Sequence, residues 1–341
     1  MKYLIKGLTT CLLLFSLQAV ASDLPLEKPR VTVAVGGKSV LYNLPLTIAQ
    51  QKGYFKEVGL QVDIADFAGG GKALQALIGG SADVVSGAYE HTITLQNKHQ
   101  YITAFIMTGQ VPQIVVAVSR KTMPHYRQIS DLKGKKIGIS APGSSTNMVA
   151  NVVLAKAGLK SIDVSYVSIG TSAGAVDALR SGRIDAIANT EPVISLLEKS
   201  DDLIIIADTR TIAGTEALFG GPMPAGSLYA KESFLKNNPV KVQALTSAML
   251  KALHWLDTAS PEEIAAIVPE NYLLGDPTLY KKALTAIRPA ISQDGLFSSA
   301  ATQTALHALS TFDPSIQPER IDLSRTWTNR FVLEAQRNVQ K

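Results

Sequence analysis

Short apolar runs alternate along this chain with longer stretches that have the residue pattern of helices. The runs of the first half cover residues 31–35, 60–64, 82–85 and 102–107, helical stretches at 45–52 and 71–78 lie between them, and new runs follow at 135–139, 164–168 and 184–188. Strands that alternate with helices are typical of parallel β-α-β units. The pattern predicts an α/β protein made of two similar halves that follow one another.

The two halves also share a stretch of sequence. Residues 76–83 read ALIGGSAD and residues 178–185 read ALRSGRID, at an offset of 102 residues. A helix that ends at glycine and leads into a strand near an aspartate is the expected form of a helix-to-strand junction. Its recurrence predicts that both halves have the same topology.

After Lys231 the pattern becomes largely helical. Ser260 and Glu263 form a capping-box pattern at the start of one predicted helix. Trp255 lies among apolar positions at helical spacing, and we interpret it as a packing residue because a helix must bury one apolar face.

The beginning of the chain has the pattern of a secretory signal peptide. Lys2 and Lys6 precede an apolar stretch at 8–17, and the small residues that follow predict cleavage after Ala21. The single cysteine, Cys11, lies inside this segment. We therefore expect a soluble periplasmic protein without a lipid anchor, and without disulfide or thiol chemistry in its mature form.

Length, charge and motifs narrow the class of protein. The 341 residues exceed one typical domain, which favours two lobes. The net charge of +5 falls to +3 once the two lysines of the signal segment are removed, too little to indicate nucleic-acid binding. The five histidines, at 91, 99, 125, 254 and 307, form no closely spaced pair, and hydrolase, zinc-helix and P-loop motifs are missing. We expect no catalytic metal, no cofactor and no enzymatic activity.

Ligands of open parallel sheets collect beyond the carboxyl ends of the strands, where helix N-termini also point. The candidate ligand-binding residues at these ends are Ser39, Tyr42, Asn43, Gly69, Gly70, Gly71, Gly87, Tyr89 and Glu90 in the first half, and Ser144, Ser145, Thr146, Asn189 and Glu191 in the second.

Two of these loops have the chemistry of an anion site. Residues 142–146 (PGSST) open a predicted helix with free N–H groups and hydroxyls, and the glycines at 69–71 let a ligand approach the backbone. The serines could instead only cap the helix, and the glycines could form only a flexible turn. Neither loop contains lysine or arginine, which favours one sulfonate, carboxylate or nitrate-sized group over a polyphosphate.

Other side chains at the strand ends suggest a different ligand. Tyr89 offers a face for an apolar or ring-bearing molecule, and Glu90 or Glu191 could accept a hydrogen bond from an amine or amidine. Each glutamate could equally be an ordinary capping or solvated residue. His91 we interpret as structural, since a lone histidine is usually so.

Several of these segments, in this order and spacing, resemble the ABC-transporter solute-binding family that serves nitrate, alkanesulfonates, taurine, bicarbonate and the pyrimidine precursor of thiamin. The matching segments are 49–55 (AQQKGYF), 58–60 (VGL), the glycines at 69–71, 76–83, 131–138 (DLKGKKIG) leading to 142–144 (PGS), and 178–185 followed by Glu191-Pro192. Together they cover roughly residues 31 to 240. Any one motif is weak, but the ordered set is specific.

The resemblance implies a two-lobed, type II periplasmic-binding fold, in which each lobe is a mostly parallel sheet flanked by helices and the ligand cleft lies between the lobes. After the signal peptide at 1–21, lobe I would comprise residues 22–113 and 222–341, and lobe II residues 114–221. The crossings would fall near 110–119 and 220–228. The resemblance also implies a monomer with a membrane permease and an ATPase as partners.

The ligand stays open at this stage. A small organic anion (a sulfonate, a taurine-like molecule or a carboxylate) is the first choice, on the basis of the two loops. A thiamin-precursor aminopyrimidine is the alternative, and a periplasmic sensor subunit would need the same lobes. The fungal enzymes that resemble this fold carry a cysteine-rich motif, which the predicted mature chain lacks.

Overall fold

The computed structural model describes residues 29–339. The predicted signal peptide, with its cleavage site after Ala21 and with Cys11, lies outside the described residues. Between residues 29 and 339, no helix is long and apolar enough to cross a membrane.

The described residues form ten strands and fourteen α-helices. The strands are β1 (Arg30–Val35), β2 (Gln61–Asp66), β3 (Val84–Ala88), β4 (Ile102–Met107), β5 (Val115–Ser119), β6 (Lys136–Ile139), β7 (Ser165–Ser168), β8 (Ala186–Asn189), β9 (Leu203–Asp208) and β10 (Gly226–Lys231). The helices are α1 (Leu44–Gln51), α2 (Tyr54–Glu57), α3 (Gly70–Gly79), α4 (Glu90–Gln96), α5 (Ser145–Ala155), α6 (Ala173–Arg180), α7 (Val193–Lys199), α8 (Ile212–Phe219), α9 (Glu232–Asn237), α10 (Pro239–Thr258), α11 (Pro261–Ile267), α12 (Pro277–Ile287), α13 (Ser299–Phe312) and α14 (Arg330–Val339).

The strands form two five-stranded sheets with the same arrangement. The first has the order β2-β1-β3-β10-β4 and the second the order β7-β6-β8-β5-β9. In each sheet the first three strands are parallel, whereas the fourth runs antiparallel to both neighbours. The chain forms this antiparallel strand of each sheet immediately after it has crossed over from the other lobe. The prediction of two α/β halves with one topology is confirmed.

The repeated sequence has the same structural role in both halves. Gly80 and Gly182 follow α3 and α6 with φ of 78° and 81°, a left-handed conformation that glycine adopts without steric cost. The side chain of Asp83 then accepts a hydrogen bond from a backbone N–H of β1 at 2.9 Å, and Asp185 accepts one from β6 at 3.0 Å. Each aspartate thus ties the start of one strand to its parallel neighbour.

The chain crosses between the sheets twice, from β4 to β5 and from α8 back to β10. The two connecting segments are hydrogen-bonded to each other, because Gly109 N–H donates to the Gly226 carbonyl and Ala225 N–H donates to the Gly109 carbonyl, both at 3.0 Å. The predicted lobe limits, after residues 113 and 221, fall within these connections, and the limits themselves stay a prediction.

Helix α10 of the C-terminal third packs against elements of the first lobe. The long helix α10 lies against α1, α2, α14 and β4. Its buried side chains, Leu253 among them, join a core with Val33 of β1 and Phe105 of β4. Trp255 is half-buried against this core, with Lys52 Nζ 4.5 Å from its ring centroid. Helix α13 differs, because it packs on both α4 of the first lobe and α5 of the second.

Truncation of Leu253 should test whether α10 is an integral part of the first lobe. Leu253 is 1% exposed, so Leu253→Ala should lower the free energy of unfolding by about 2–5 kcal/mol through lost burial and a residual cavity. Val240 is 49% exposed on the same helix, and Val240→Ala should change stability by less than about 0.5 kcal/mol. Urea denaturation measures both, and equal effects would contradict the packing described.

Candidate ligand-binding cleft

The carboxyl ends of strands from both sheets meet around a small cavity of about 40 Å³. The lining residues are Gly36, Val40, Tyr42, Asn43, Gly70, Ser86, Gly87, Ala88 and His91 from the first lobe, and Ser140, Ser145, Thr146, Thr171 and Thr190 from the second. Ligand pockets commonly measure about 300–1,000 Å³, so this cavity has room for only a few water-sized groups. The small volume indicates that the lobes are closed on each other.

Three hydrogen bonds join the lobes around the cavity. Gly71 N–H donates to Ser144 Oγ at 2.8 Å, and Leu41 N–H donates to the Glu191 carbonyl at 3.2 Å. The third bond, at 3.1 Å, links His91 Nε2 to the Gly143 carbonyl. Two of the three involve the loops 69–71 and 142–146, which the sequence singled out as anion sites.

The glycines at 69–71 allow these loops to approach closely. A Cβ atom on Gly71 would lie 2.3 Å from the Pro142 carbonyl oxygen, and one on Gly69 would lie 2.9 Å from Ser140 Oγ. Neither distance is compatible with normal van der Waals contact. The sequence suggested either ligand approach or a flexible turn for these glycines, whereas the structure shows backbone-to-backbone packing between the lobes.

His91 is the clearest cavity residue that the sequence did not select. Burial lowers its pKa to about 4, so the ring is neutral near pH 7. Because the Gly143 carbonyl can only accept, Nε2 must carry the proton, and Nδ1 then accepts from the Tyr229 hydroxyl at 2.8 Å. The sequence gives no signal that a lone histidine bridges the lobes, because this role depends on Gly143, which is 52 positions away.

Six of the predicted ligand-binding residues line the cavity: Tyr42, Asn43, Gly70, Gly87, Ser145 and Thr146. Asn43 is held in place by its Nδ2, which donates to the Gly37 carbonyl at 2.8 Å, and by its Oδ1, which accepts from Ser86 Oγ at 3.0 Å. The Thr146 hydroxyl accepts from Ser140 N–H at 3.0 Å. These bonds fix the two polar walls of the cavity.

The other predicted residues do not line the cavity: Ser39, Gly69, Gly71, Tyr89, Glu90, Ser144, Asn189 and Glu191. Tyr89 is fully buried, its ring centroid lies 5.4 Å from that of Phe297, and its hydroxyl is 2.6 Å from Thr326 Oγ1. The ring therefore belongs to the core and offers no face to a ligand in this conformation. Besides His91, the lining residues that the sequence did not predict all lie near strand ends: Gly36, Val40, Ser86, Ala88, Ser140, Thr171 and Thr190.

The side chains of Glu191 and Asn189 form their polar contacts within the second lobe. The Glu191 carboxylate pairs with Arg210 at 2.6 Å and accepts from Ser195 N–H at 3.0 Å. Arg210 also binds Asp208 and Glu198, so its charge is compensated within this cluster. The Asn189 side chain donates to the Gly170 carbonyl at 3.0 Å. These contacts fix the conformation of the segment that contains Asn189 and Glu191.

Glu90 has a different environment. It is 2% exposed, and burial raises the pKa of its carboxyl group to about 7. Its Oε1 is buried without a hydrogen-bond partner in the described protein, as are the Tyr42 hydroxyl and Thr190 Oγ1. The pKa of Tyr42 is raised by burial and next by the Glu90 charge.

No lysine or arginine is among the residues that line the cavity. Within residues 29–339, no group of three or more histidine, cysteine, aspartate or glutamate residues is placed to hold a metal ion. The polar side chains that line the cavity are therefore hydroxyls, one carboxamide and a neutral imidazole, and the Glu90 carboxyl group is buried without lining it.

Comparison with known proteins agrees with this architecture. The model of the NMT1/THI5-like family matches residues 41–264, more than half of the chain, and the chain belongs to this family. A solved structure from Bordetella bronchiseptica RB50 is similar with a TM-score of 0.91 and 54% identity, over 93% of this chain and 99% of that one.

More distant relatives differ in what their names describe. YtlA of Bacillus subtilis (strain 168), named as a binding protein, is 28% identical over 275 residues, which are 80% of this chain and 79% of YtlA. The alkanesulfonate-binding protein SsuA of Xanthomonas axonopodis pv. citri, bound to MOPS, has a TM-score of 0.67 at 20% identity, over 89% and 99% of the two chains. The type II periplasmic-binding fold is thereby shown. Relatives that are 24% and 26% identical to this chain include fungal 4-amino-5-hydroxymethyl-2-methylpyrimidine phosphate synthases, which are enzymes.

The buried carboxyl group predicts a pH-dependent stability difference. The pKa of Glu90 is raised from 4.5 to about 7, so ionisation of this group costs the folded state up to about 3 kcal/mol above pH 7 and nothing below pH 4.5. Glu90→Gln should therefore be more stable than wild type at pH 8, with the difference vanishing toward pH 4.5.

Urea denaturation at pH 8, 6 and 4.5 measures this difference. The exposed Glu319 offers a control, because Glu319→Gln makes the same chemical change without burial. A Glu90→Gln difference that stays constant across the three pH values would contradict the raised pKa.

Proposed function

We propose that this protein is the solute-binding component of an ABC-type importer, which captures a small organic solute between its lobes in the periplasm and delivers it to a membrane permease. The observation that carries the proposal is the cavity at the facing strand ends, closed by hydrogen bonds from both lobes. A cavity built from two lobes that share only two connections can open and close by a hinge. The partners are a permease and an ATPase, the receptor acts as a monomer, and the lobe limits lie after residues 113 and 221.

The ligand is a small polar molecule. Both classes suggested by the sequence, an organic anion and an aminopyrimidine, would find hydroxyl and amide groups in this cleft. Part of the support for the anion is weakened, since Gly71 N–H is already bound to Ser144 Oγ and Gly143 N–H to Asn147 Oδ1 at 3.2 Å. The names of relatives such as SsuA, and of a Staphylococcus aureus import component with the same fold, favour import over sensing.

Binding without chemistry is the role that we propose, although synthases occur among the distant relatives. The cleft contains a neutral histidine that is engaged at both ring nitrogens. A general base must be free to reach its substrate proton, and this imidazole is not. Among the described residues, the two ring nitrogens of this histidine bind Tyr229 and Gly143, and no serine or threonine hydroxyl of the lining is hydrogen-bonded to it.

Closure of the lobes should depend on Gly71. In Gly71→Ala the new methyl group would collide with the Pro142 carbonyl, whereas the helical position itself tolerates alanine. We expect a normally folded protein that no longer reaches the closed interlobe distance. The measurement is the distance between spin labels at Lys72→Cys and Ser172→Cys, two exposed positions on opposite lobes.

The matched control is Gly79→Ala in the same helix, where a Cβ atom would meet nothing within 4 Å. It should keep the closed distance of the otherwise wild-type protein. If Gly71→Ala shows as large a closed population as this control does, then the close approach at Gly71 is not required for closure of the lobes.

A receptor should either retain its ligand through purification or bind that ligand when it is added. Protein purified without refolding should carry one small molecule per chain in native mass spectrometry, and that molecule should be released chemically unchanged after prolonged incubation. A ligand that binds only the folded state at a hundredfold excess over its Kd adds about 2.7 kcal/mol of stability, which a thermal-shift assay detects. Turnover of the bound molecule would instead establish an enzyme.

A further inference from the structure

The end of the second lobe that lies away from the cleft carries much of the positive charge of the protein. Three segments, 127–136, 156–165 and 183–185, lead into the amino ends of β6, β7 and β8. These strands are adjacent and parallel, with Lys136 opposite Ser165, so the three segments lie side by side at one edge of the sheet. We call the three segments together the basic edge.

The basic edge has a net positive charge, and its cations are unpaired. It contains seven lysine or arginine residues and three aspartates, a net charge of +4, compared with +5 for the whole chain. Within residues 29–339, none of the seven side chains forms an ion pair. All are exposed except Lys135, which is half-buried, and the others are Arg127, Lys133, Lys136, Lys156, Lys160 and Arg183.

The three aspartates of the basic edge are bound by backbone N–H groups of the same segments. The bonds run from the Gln128 N–H to Asp131 Oδ2 at 3.1 Å, from the Lys160 N–H to Asp163 Oδ2 at 2.8 Å, and from the Lys136 N–H to Asp185 Oδ2 at 3.0 Å. On the other side of the same sheet, before β9, two ion pairs at 3.0 Å and 2.8 Å compensate the charges: Arg120–Asp201 and Arg180–Asp202. The positive charge of the basic edge is therefore available to a partner.

A large apolar side chain stands within the basic edge. Ile162 is 88% exposed, whereas Val240, the next most exposed large apolar side chain of the described residues, is 49% exposed. Ile162 lies in a short 3-10 turn, and the Gly134 N–H donates to the carbonyl of Asp163 in that turn at 2.7 Å. This bond holds the isoleucine beside the lysine-rich turn that precedes β6.

An exposed isoleucine among unpaired lysines fits a lipid surface better than a protein partner. Protein interfaces have an apolar core from which lysine is depleted, and Ile162 is the one large exposed apolar side chain among the residues of the basic edge. An anionic bilayer, by contrast, raises affinity about fivefold for each nearby lysine or arginine. It also accepts an apolar side chain at the boundary between headgroups and acyl chains.

We propose that the basic edge binds the surface of a membrane with anionic phospholipids, with its lysines at the phosphate groups and Ile162 inserted between the headgroups. Ser140 and Thr171, which line the cavity, follow the opposite ends of β6 and β7, so this contact leaves the cleft uncovered. The inference goes beyond the proposed receptor function. A receptor held in this way would stay close to a membrane permease while its lobes open and close.

Co-sedimentation with lipid vesicles tests the inference. The protein should lack the predicted signal peptide, because the apolar segment at 8–17 would itself favour lipid, and all described elements follow that peptide. We expect binding to vesicles of equimolar phosphatidylglycerol and phosphatidylcholine, and none to phosphatidylcholine alone. Binding should weaken when NaCl is raised from about 0.05 M to about 0.5 M, since salt screens exposed charges.

Two variants of the basic edge remove the two parts of the contact. Lys133→Gln combined with Lys136→Gln should lower the partition coefficient at least about tenfold, because two charges near the lipid phosphates are lost. Ile162→Ser should lower it at least about fivefold, because the inserted apolar side chain is lost. All three positions are exposed, so each variant should keep the melting temperature of wild type.

Matched controls make the same chemical changes at exposed positions on helices of the first lobe. Lys236→Gln combined with Lys282→Gln removes two charges, and Val240→Ser removes an exposed apolar side chain. Both controls should bind vesicles as wild type does.

Three results would overturn the inference. The first is equal binding to vesicles with and without phosphatidylglycerol, and the second is a lysine variant that binds as tightly as its control. The third is unchanged binding of Ile162→Ser, which would leave a purely electrostatic contact of the kind that an acidic protein surface provides. The receptor function is judged independently of all three, by the retained ligand in native mass spectrometry.

Discussion

The contact between the backbones of residues 69–71 and 142–144 sets the distance between the two lobes. With a Cβ atom on Gly71 only 2.3 Å from the Pro142 carbonyl, the lobes could not approach as they do. The hydrogen bonds of Ser144 and His91 across the cleft, and the small volume of the cavity, all depend on this approach. The closed form is thus defined by a steric constraint and then stabilised by a few polar contacts.

Polar groups around the cleft fall into two sets with different consequences. Asn43, His91 and Asn189 have protein partners, so they hold the loops in one geometry. Glu90 Oε1 and the Tyr42 hydroxyl have no partner in the described protein, although both atoms are buried. A folded protein can retain such groups when their unfavourable burial is relieved by a ligand. The first set gives the cleft its rigidity.

The sequence repeat and the fold are linked by specific bonds. Asp83 and Asp185 each hold the start of their strand against a parallel neighbour, immediately after a glycine that ends the preceding helix. Because this junction directs each strand so that its carboxyl end faces the partner lobe, the two lobes can place loops of similar construction on opposite sides of one cavity. Helix α13, which packs on both lobes, adds an apolar connection away from the cleft.

Hydrophobic periodicity and glycine-ended helices are local properties, so the sequence predicted the class of fold, the repeated topology and the strand ends that surround the cavity. It also selected Tyr42, Asn43, Gly70, Gly87, Ser145 and Thr146, which line the cavity. Which side chains at those ends face the cleft depends on tertiary contacts. Tyr89 and His91 are two residues apart, yet one joins the core and the other bridges the lobes, since their directions depend on Phe297, Tyr229 and Gly143, partners distant in sequence. The same holds for Glu90 and Glu191, two glutamates that the sequence could not distinguish: Arg210 pairs with Glu191, whereas Glu90 Oε1 has no hydrogen-bond partner in the part of the chain that the structure describes.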